Sequence, residues 1–218
     1  MNYTERQLRE VLLNKAKQLA STGLSQGKSG NISVRCGRQV LITPSGVDYQ
    51  DLDGDDMVLL PLDYDPSRHT ASGLPPSSEW HFHLDIYQAR PELNAVVHAH
   101  PTFCTALACS GRAIPAFHYM VAIAGGNDIP LAPYALFGTE LLSQHVVKAL
   151  THRQACLLEN HGMISVGEDL DKAFNLAIEV ETLAQQYVET LKIGGAILLT
   201  DQQMAEVHEK FKHYGQRV

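Results

Sequence analysis

The sequence predicts an α/β fold: a single domain over residues 1–218, with a central, mostly antiparallel or mixed β-sheet flanked by helices. Three observations carry this. Helical periodicity is strong near the N-terminus and again from Asp169 to Ile193. Short apolar runs rich in β-branched residues, bounded by turn residues, lie between them. Strands and helices do not follow the sustained βαβ alternation of a dinucleotide-binding sheet. A chain of 218 residues supplies one substantial core, so no second unit is expected.

From Thr4 to Ala20, Leu8, Val11, Leu12, Ala16 and Leu19 recur at helical spacing, with Thr4 placed to cap the helix. NISVR, QVLITP and MVLLPL then read as short strands. The Gly, Pro and Ser residues of SRHTASGLPPSS form a loop. After it, SSEWHFHLDIYQAR reads as a helix with serine caps and an acid in its first turn, ended by Pro91. AVVHAH reads as a strand, and ACLLENHG with ISVG as a hairpin or two edge strands around a glycine turn. The long helix from Asp169 is closed by Gly194 and Gly195, and a last helix begins at Thr200 or Asp201.

Bulk properties exclude several functions. The formal net charge of −7 gives no electrostatic footprint for a nucleic acid or an anionic membrane, so neither is an expected partner. No run approaches the roughly 20 apolar residues of a membrane span, and the polar start MNYTERQLRE is unlike a signal peptide. Cys36, Cys104, Cys109 and Cys156 show no paired spacing and read as reduced thiols of a cytoplasmic protein.

The histidines carry the chemistry. Residues two apart on a strand point to the same face, so His98 and His100 project side by side and can grip one ion. His161 lies in the polar string ENHG after another apolar run. Three neutral imidazoles with an open fourth position describe a catalytic site, and nitrogen ligands favour zinc, with manganese, cobalt and iron left open. The pair in HFH is an internal contrast. On a helix His81 and His83 diverge by roughly 200°, since each residue turns about 100°. They cannot share an ion, and packing or surface polarity is their expected role.

Glu79 follows two serines at a helix start, where an acid suits the helix dipole and free backbone N–H groups can bind a phosphate. Ser77 and Ser78 add hydroxyl donors. Gly30-Asn31 in KSGNIS and Ser45-Gly46 in ITPSGV are turns with the same capacity, and neither resembles the Walker phosphate loop.

Taken together, QGKSGNISVR, LITPSG, PPSSEWHFH, AVVHAH, AFHYM, AGGN, APYALFGT, NHG and FKHYG resemble the class II aldolase/adducin family, in order and over nearly the whole chain. The resemblance implies His98, His100 and His161 as ligands of one zinc ion per subunit. It implies Glu79 as acid/base and as a further ligand when substrate is absent. It places a phosphate site on Gly30, Asn31, Ser45, Gly46, Ser77 and Ser78, and brings Tyr119 and Tyr214 to the site across subunit contacts of a homotetramer. The implied reaction is reversible cleavage of a small phosphorylated sugar, L-fuculose 1-phosphate or a related deoxyketose 1-phosphate, through a metal-stabilised enediolate. The products are dihydroxyacetone phosphate and L-lactaldehyde or a related aldehyde, with Phe137 as a candidate wall residue.

Rival activities share the scaffold. Epimerases of the family usually carry aspartate where Glu79 stands, and its decarboxylases tend to carry lysine where Ser78 stands. A dehydratase matches the tail motifs less well. Adducin-like interaction modules lack the complete triad, and a metallohydrolase finds no HExxH here.

Overall fold

The structure is a computed structural model that describes residues 3–26, 28–68 and 73–212. Its frame is one seven-stranded mixed sheet. The strands are β1 (Asn31–Cys36), β2 (Gln39–Ile42), β3 (Val58–Pro61), β4 (Ala95–Ala99), β5 (Leu131–Ala132), β6 (Ala155–Leu158) and β7 (Gly162–Gly167). Their order is β3-β2-β1-β4-β7-β6-β5, antiparallel throughout except for the parallel β5–β6 pair. The expected α/β architecture and mixed sheet are present.

Among the described residues, six helices cover the sheet: α1 (Glu5–Ser21), α2 (Trp80–Ala89), α3 (Thr102–Cys109), α4 (Glu140–Ala149), α5 (Leu170–Lys192) and α6 (Asp201–Phe211). The sequence reading lacked α3 and α4. Strand β4 shows how the layers form. Ala95, Val97 and Ala99 point into a core shared with α1, α3 and α5, whereas Val96 points into a second core shared with α2 and α4. Period-two alternation therefore serves two apolar layers at once, and every β4 residue is buried. His98 falls on the α2 side by the same alternation.

The helix ends follow local chemistry. Thr4 caps α1: its hydroxyl accepts from Gln7 N (3.3 Å) while Gln7 Oε1 accepts from Thr4 N (2.9 Å). Asp169 and Thr200 cap α5 and α6 in the expected places. The start of α2 corrects the sequence reading. Neither serine caps it; Glu79 itself occupies the cap position and its side chain makes no capping bond. Its carboxylate is thereby free to turn away from the helix. Tyr214 and the rest of 213–218 lie outside the described residues. No helix among the described residues is long and apolar enough to cross a membrane.

Candidate active site

The site forms where the two central strands end. His98 is fully buried on β4, and His100 follows one residue beyond the strand. β4 pairs with β7 so that Ala99 faces Met163, which brings the turn Glu159–His161 beside the end of β4. The three rings are nearly equidistant, with centroids 4.7, 4.8 and 4.8 Å apart and interplanar angles of 72°, 71° and 70°. One ligand-type nitrogen from each lies within 4.8 Å of the others. Such closeness requires a glycine: a Cβ on Gly162 would sit 2.5 Å from Ala99 O and 2.6 Å from His100 Cδ2.

Glu79 completes the cluster. Its Oε2 lies 3.1 Å from His98 Nε2, and its Oε1 lies 3.3 Å from His161 Nε2. Burial pushes this carboxyl up, but His98, His161 and the amide of Asn31 outweigh burial and hold it well below the usual carboxylate range. Burial, reinforced by the other histidines, pushes His100 down to about 3 and His161 down to about 4, so both rings are neutral and able to donate a lone pair.

These residues suit a divalent metal. The Nδ1 of His98 lies 2.9 Å from Met163 O, a group that can only accept, so the proton sits on Nδ1. His98 Nε2 faces Glu79 Oε2 at 3.1 Å and His100 Nε2 at 2.9 Å. Glu79 Oε1 is buried with no hydrogen-bond partner. Three imidazole nitrogens converging beside a carboxylate fit a catalytic metal.

Asn31, which opens β1, pairs in register with His98 and donates from Nδ2 to Glu79 Oε2 at 2.9 Å. Gly30 precedes it with φ +82°; a Cβ there would lie 2.6 Å from Ser25 Oγ and 2.8 Å from His98 O. Segments 43–46 and 75–79 are tied by Ser77 N to Thr43 O (3.1 Å) and Ser45 N to Pro75 O (2.9 Å). The outcome is a cleft of about 420 Å³, on whose wall Gly30, Asn31, Ser45, Gly46, Ser77 and Ser78 all lie together with Glu79, His100 and His161. His98 lies beneath them.

The sequence reading missed several wall residues. Lys28, whose Nζ donates to Gly46 O at 3.1 Å, brings a cation to the donor-rich rim of an acidic protein. Its signal was its place two residues before Gly30. Tyr134 and Asn160 also face the cleft, beside the anticipated Phe137. Asn160 adopts φ +54°, a left-handed conformation that asparagine tolerates and that turns the chain into His161. Tyr119 is half exposed and does not line the cleft; its neighbours are His118 and Phe211. Of the packing or surface polarity foreseen for His81 and His83, surface polarity does not apply to His83. That ring is wholly buried and bonded to Asn31.

This geometry meets the known proteins at one point. Residues 10–188 match the Class II Aldolase and Adducin N-terminal domain. The chain belongs to the class II aldolase and adducin family. It is 50% identical over 208 residues to the 5-methylthioribulose-1-phosphate/5-deoxyribulose-1-phosphate aldolase of Rhodospirillum rubrum, covering 95% of this chain and 92% of that one. It is 47% identical over 212 residues to the L-fuculose phosphate aldolase of Escherichia coli, covering 97% of each. A solved structure of L-fuculose 1-phosphate aldolase matches with a TM-score of 0.88 at 38% identity, covering 94% of this chain and 96% of that one. Aldolase names at such identity support lyase chemistry on a phosphorylated sugar. They disagree on the sugar, so they give the reaction class only.

Proposed function

We propose that the chain is a zinc-dependent aldolase that reversibly cleaves a deoxyketose 1-phosphate to dihydroxyacetone phosphate and an aldehyde. L-fuculose 1-phosphate, which yields L-lactaldehyde, and the 5-deoxyribulose 1-phosphate named for its relatives are the leading substrates. The observation that carries this is the meeting of three imidazole nitrogens, an ionised carboxylate with one oxygen that accepts no hydrogen bond, and a donor-rich rim in one cleft.

The rim binds the phosphate: Ser45, Ser77 and Ser78 offer hydroxyls, Gly30 and Gly46 offer close backbone, Asn31 offers an amide, and Lys28 adds charge. His98, His100 and His161 would hold zinc, with Glu79 as a further ligand before substrate enters. Bound there, the dication would supply Lewis acidity toward the negative charge of an enediolate. Glu79 moves the proton to and from the carbon of that enediolate, with Oε1 as the available oxygen. Tyr119 or Tyr214 exchanges a proton with the aldehyde oxygen. Because Tyr119 stands away from its own cleft, it serves a neighbouring subunit's, which supports a homotetramer with sites at subunit boundaries. Cys36, Cys104, Cys109 and Cys156 are free thiols, which supports a cytoplasmic location.

The test is release of dihydroxyacetone phosphate by the zinc-loaded protein from L-fuculose 1-phosphate, 5-deoxyribulose 1-phosphate and 5-methylthioribulose 1-phosphate. Release from at least one is expected; release from none, with metal bound, overturns the reading. Glu79→Gln should keep the metal and lose at least about 10²-fold in turnover, the typical contribution of a positioned acid/base.

A further inference from the structure

A line of buried polar side chains runs away from Glu79 between α2 and β1, through a layer that is otherwise apolar. Glu79, His83 and Tyr87 fall at four-residue intervals and share one stripe of the helix. Asn31 and Ser33 fall at a two-residue interval and share one face of the strand. The two sets interdigitate. Tyr87 OH lies 2.9 Å from Ser33 Oγ, and Ser33 Oγ lies 2.7 Å from His83 Nδ1. His83 Nε2 lies 2.6 Å from Asn31 Oδ1, and Asn31 Nδ2 lies 2.9 Å from Glu79 Oε2. Ser33, His83 and Tyr87 are at most 1% exposed.

Only one direction satisfies every member. The Glu79 carboxylate accepts, so Asn31 must present its NH₂ group and turn its carbonyl to His83. His83 Nε2 must then carry the proton and donate. Burial pushes this imidazole down to about 3, so the ring is neutral and its Nδ1 is an acceptor for the Ser33 hydroxyl. Ser33 in turn accepts from Tyr87, which burial keeps protonated. Flipping Asn31 would set two acceptors against each other at Glu79 and two donors against each other at His83. A polar line this deep gains little stability over an apolar one, so its yield lies in orientation.

We propose that His83 is a positioning residue for the proton-moving carboxylate: as an Nε2–H donor it locks the Asn31 amide with its N–H toward Glu79, which anchors Oε2 and leaves Oε1 as the oxygen that exchanges the proton. The functional half of this rests on the aldolase reading; the hydrogen-bond line itself does not.

Two measurements separate them. In the metal-free, ¹⁵N-labelled protein at pH 7, long-range ¹H–¹⁵N imidazole spectra should show His83 as the neutral Nε2–H tautomer; an Nδ1–H tautomer or an imidazolium overturns the line. In the zinc-loaded protein, solvent exchange of the carbon-bound hydrogen of dihydroxyacetone phosphate in ²H₂O isolates the base step without an aldehyde. His83→Leu should retain zinc and lose at least about 30-fold in the maximal exchange rate, with KM within about 3-fold. His83→Gln, which restores an N–H donor at similar reach, should recover to within about 5-fold of the parent. Equal exchange by His83→Leu, or a loss in His83→Gln as deep as in His83→Leu, overturns the proposal. A parent protein that binds zinc but exchanges nothing overturns the aldolase reading and the functional half with it, while the tautomer still decides the line.

Discussion

Replacing Gly162 with alanine should disable the metal site without touching a ligand. The added methyl carbon would lie 2.5 Å from Ala99 O and 2.6 Å from His100 Cδ2, where ordinary contact begins at 3.4 Å. Ala99 O belongs to the β4–β7 ladder and cannot retreat alone, so most of the required shift, about 0.8 Å, falls on the His100 ring. Metal–ligand distances tolerate about 0.2 Å. His100 therefore leaves coordination, and zinc affinity should fall by about 100-fold or more, the upper range for disturbing a ligand's support. The strain itself costs about 1–3 kcal/mol, as overpacking does, which for a chain of this length lowers the melting temperature of the metal-free protein by about 2–12 °C. Competition with a chromophoric chelator gives the affinity, and thermal melts with and without zinc give the stability. Wild-type affinity in the variant would refute the claim that this glycine sets the position of His100.

Other outcomes follow from the same geometry. Burial pushes His83 down to about 3 in the folded protein, whereas it titrates at about 6.5 when unfolded. The unfolded chain thus binds more protons between these values, so stability is whole above pH 6.5 and falls as pH drops toward 3. In metal-free protein His83 should contribute up to about 1.4 kcal/mol per pH unit to that slope, measured by urea melts. His100 and His161 act with the same sign, so the check is the difference from His83→Gln, and an unchanged slope would contradict it. The carboxylate of Glu181 accepts from Phe103 N and Cys104 N, both at 2.9 Å, at the start of α3. Glu181→Ala should cost about 1–3 kcal/mol by orphaning them, with Glu181→Gln milder; urea midpoints equal to the parent's would rule the bonds out as stabilising.

What could be read from the sequence was what depends on period. The i, i+2 spacing of His98 and His100 on a β-branched run placed them on one face, and Thr4, Asp169 and Thr200 marked helix starts through their side-chain chemistry. What escaped depends on contact between distant segments. His83 looked like half of a useless pair because its partners, Asn31 and Ser33, lie about 50 residues earlier on another element. From its own surroundings in the sequence Glu79 read only as a first-turn acid serving the helix dipole, and its role as acid/base came from the family resemblance. Only the tertiary arrangement shows its carboxylate turned from the helix to the histidines. Lys28 had no periodic signal at all, and α3 was hidden within a short apolar stretch after His100.

The position of the triad at the ends of β4 and β7 divides the protein into parts with different freedom to change. These strands are the middle of the sheet, and their residues cannot vary without disturbing both cores. The exposed wall residues Tyr134 and Phe137 belong instead to the segment between β5 and α4, outside both strands. Substitutions there can remodel what the cleft admits while the metal-holding end stays fixed. A scaffold partitioned in this way lets lineages swap the sugar and keep the reaction, as do relatives at 50% and 47% identity whose names share a chemistry and differ in substrate.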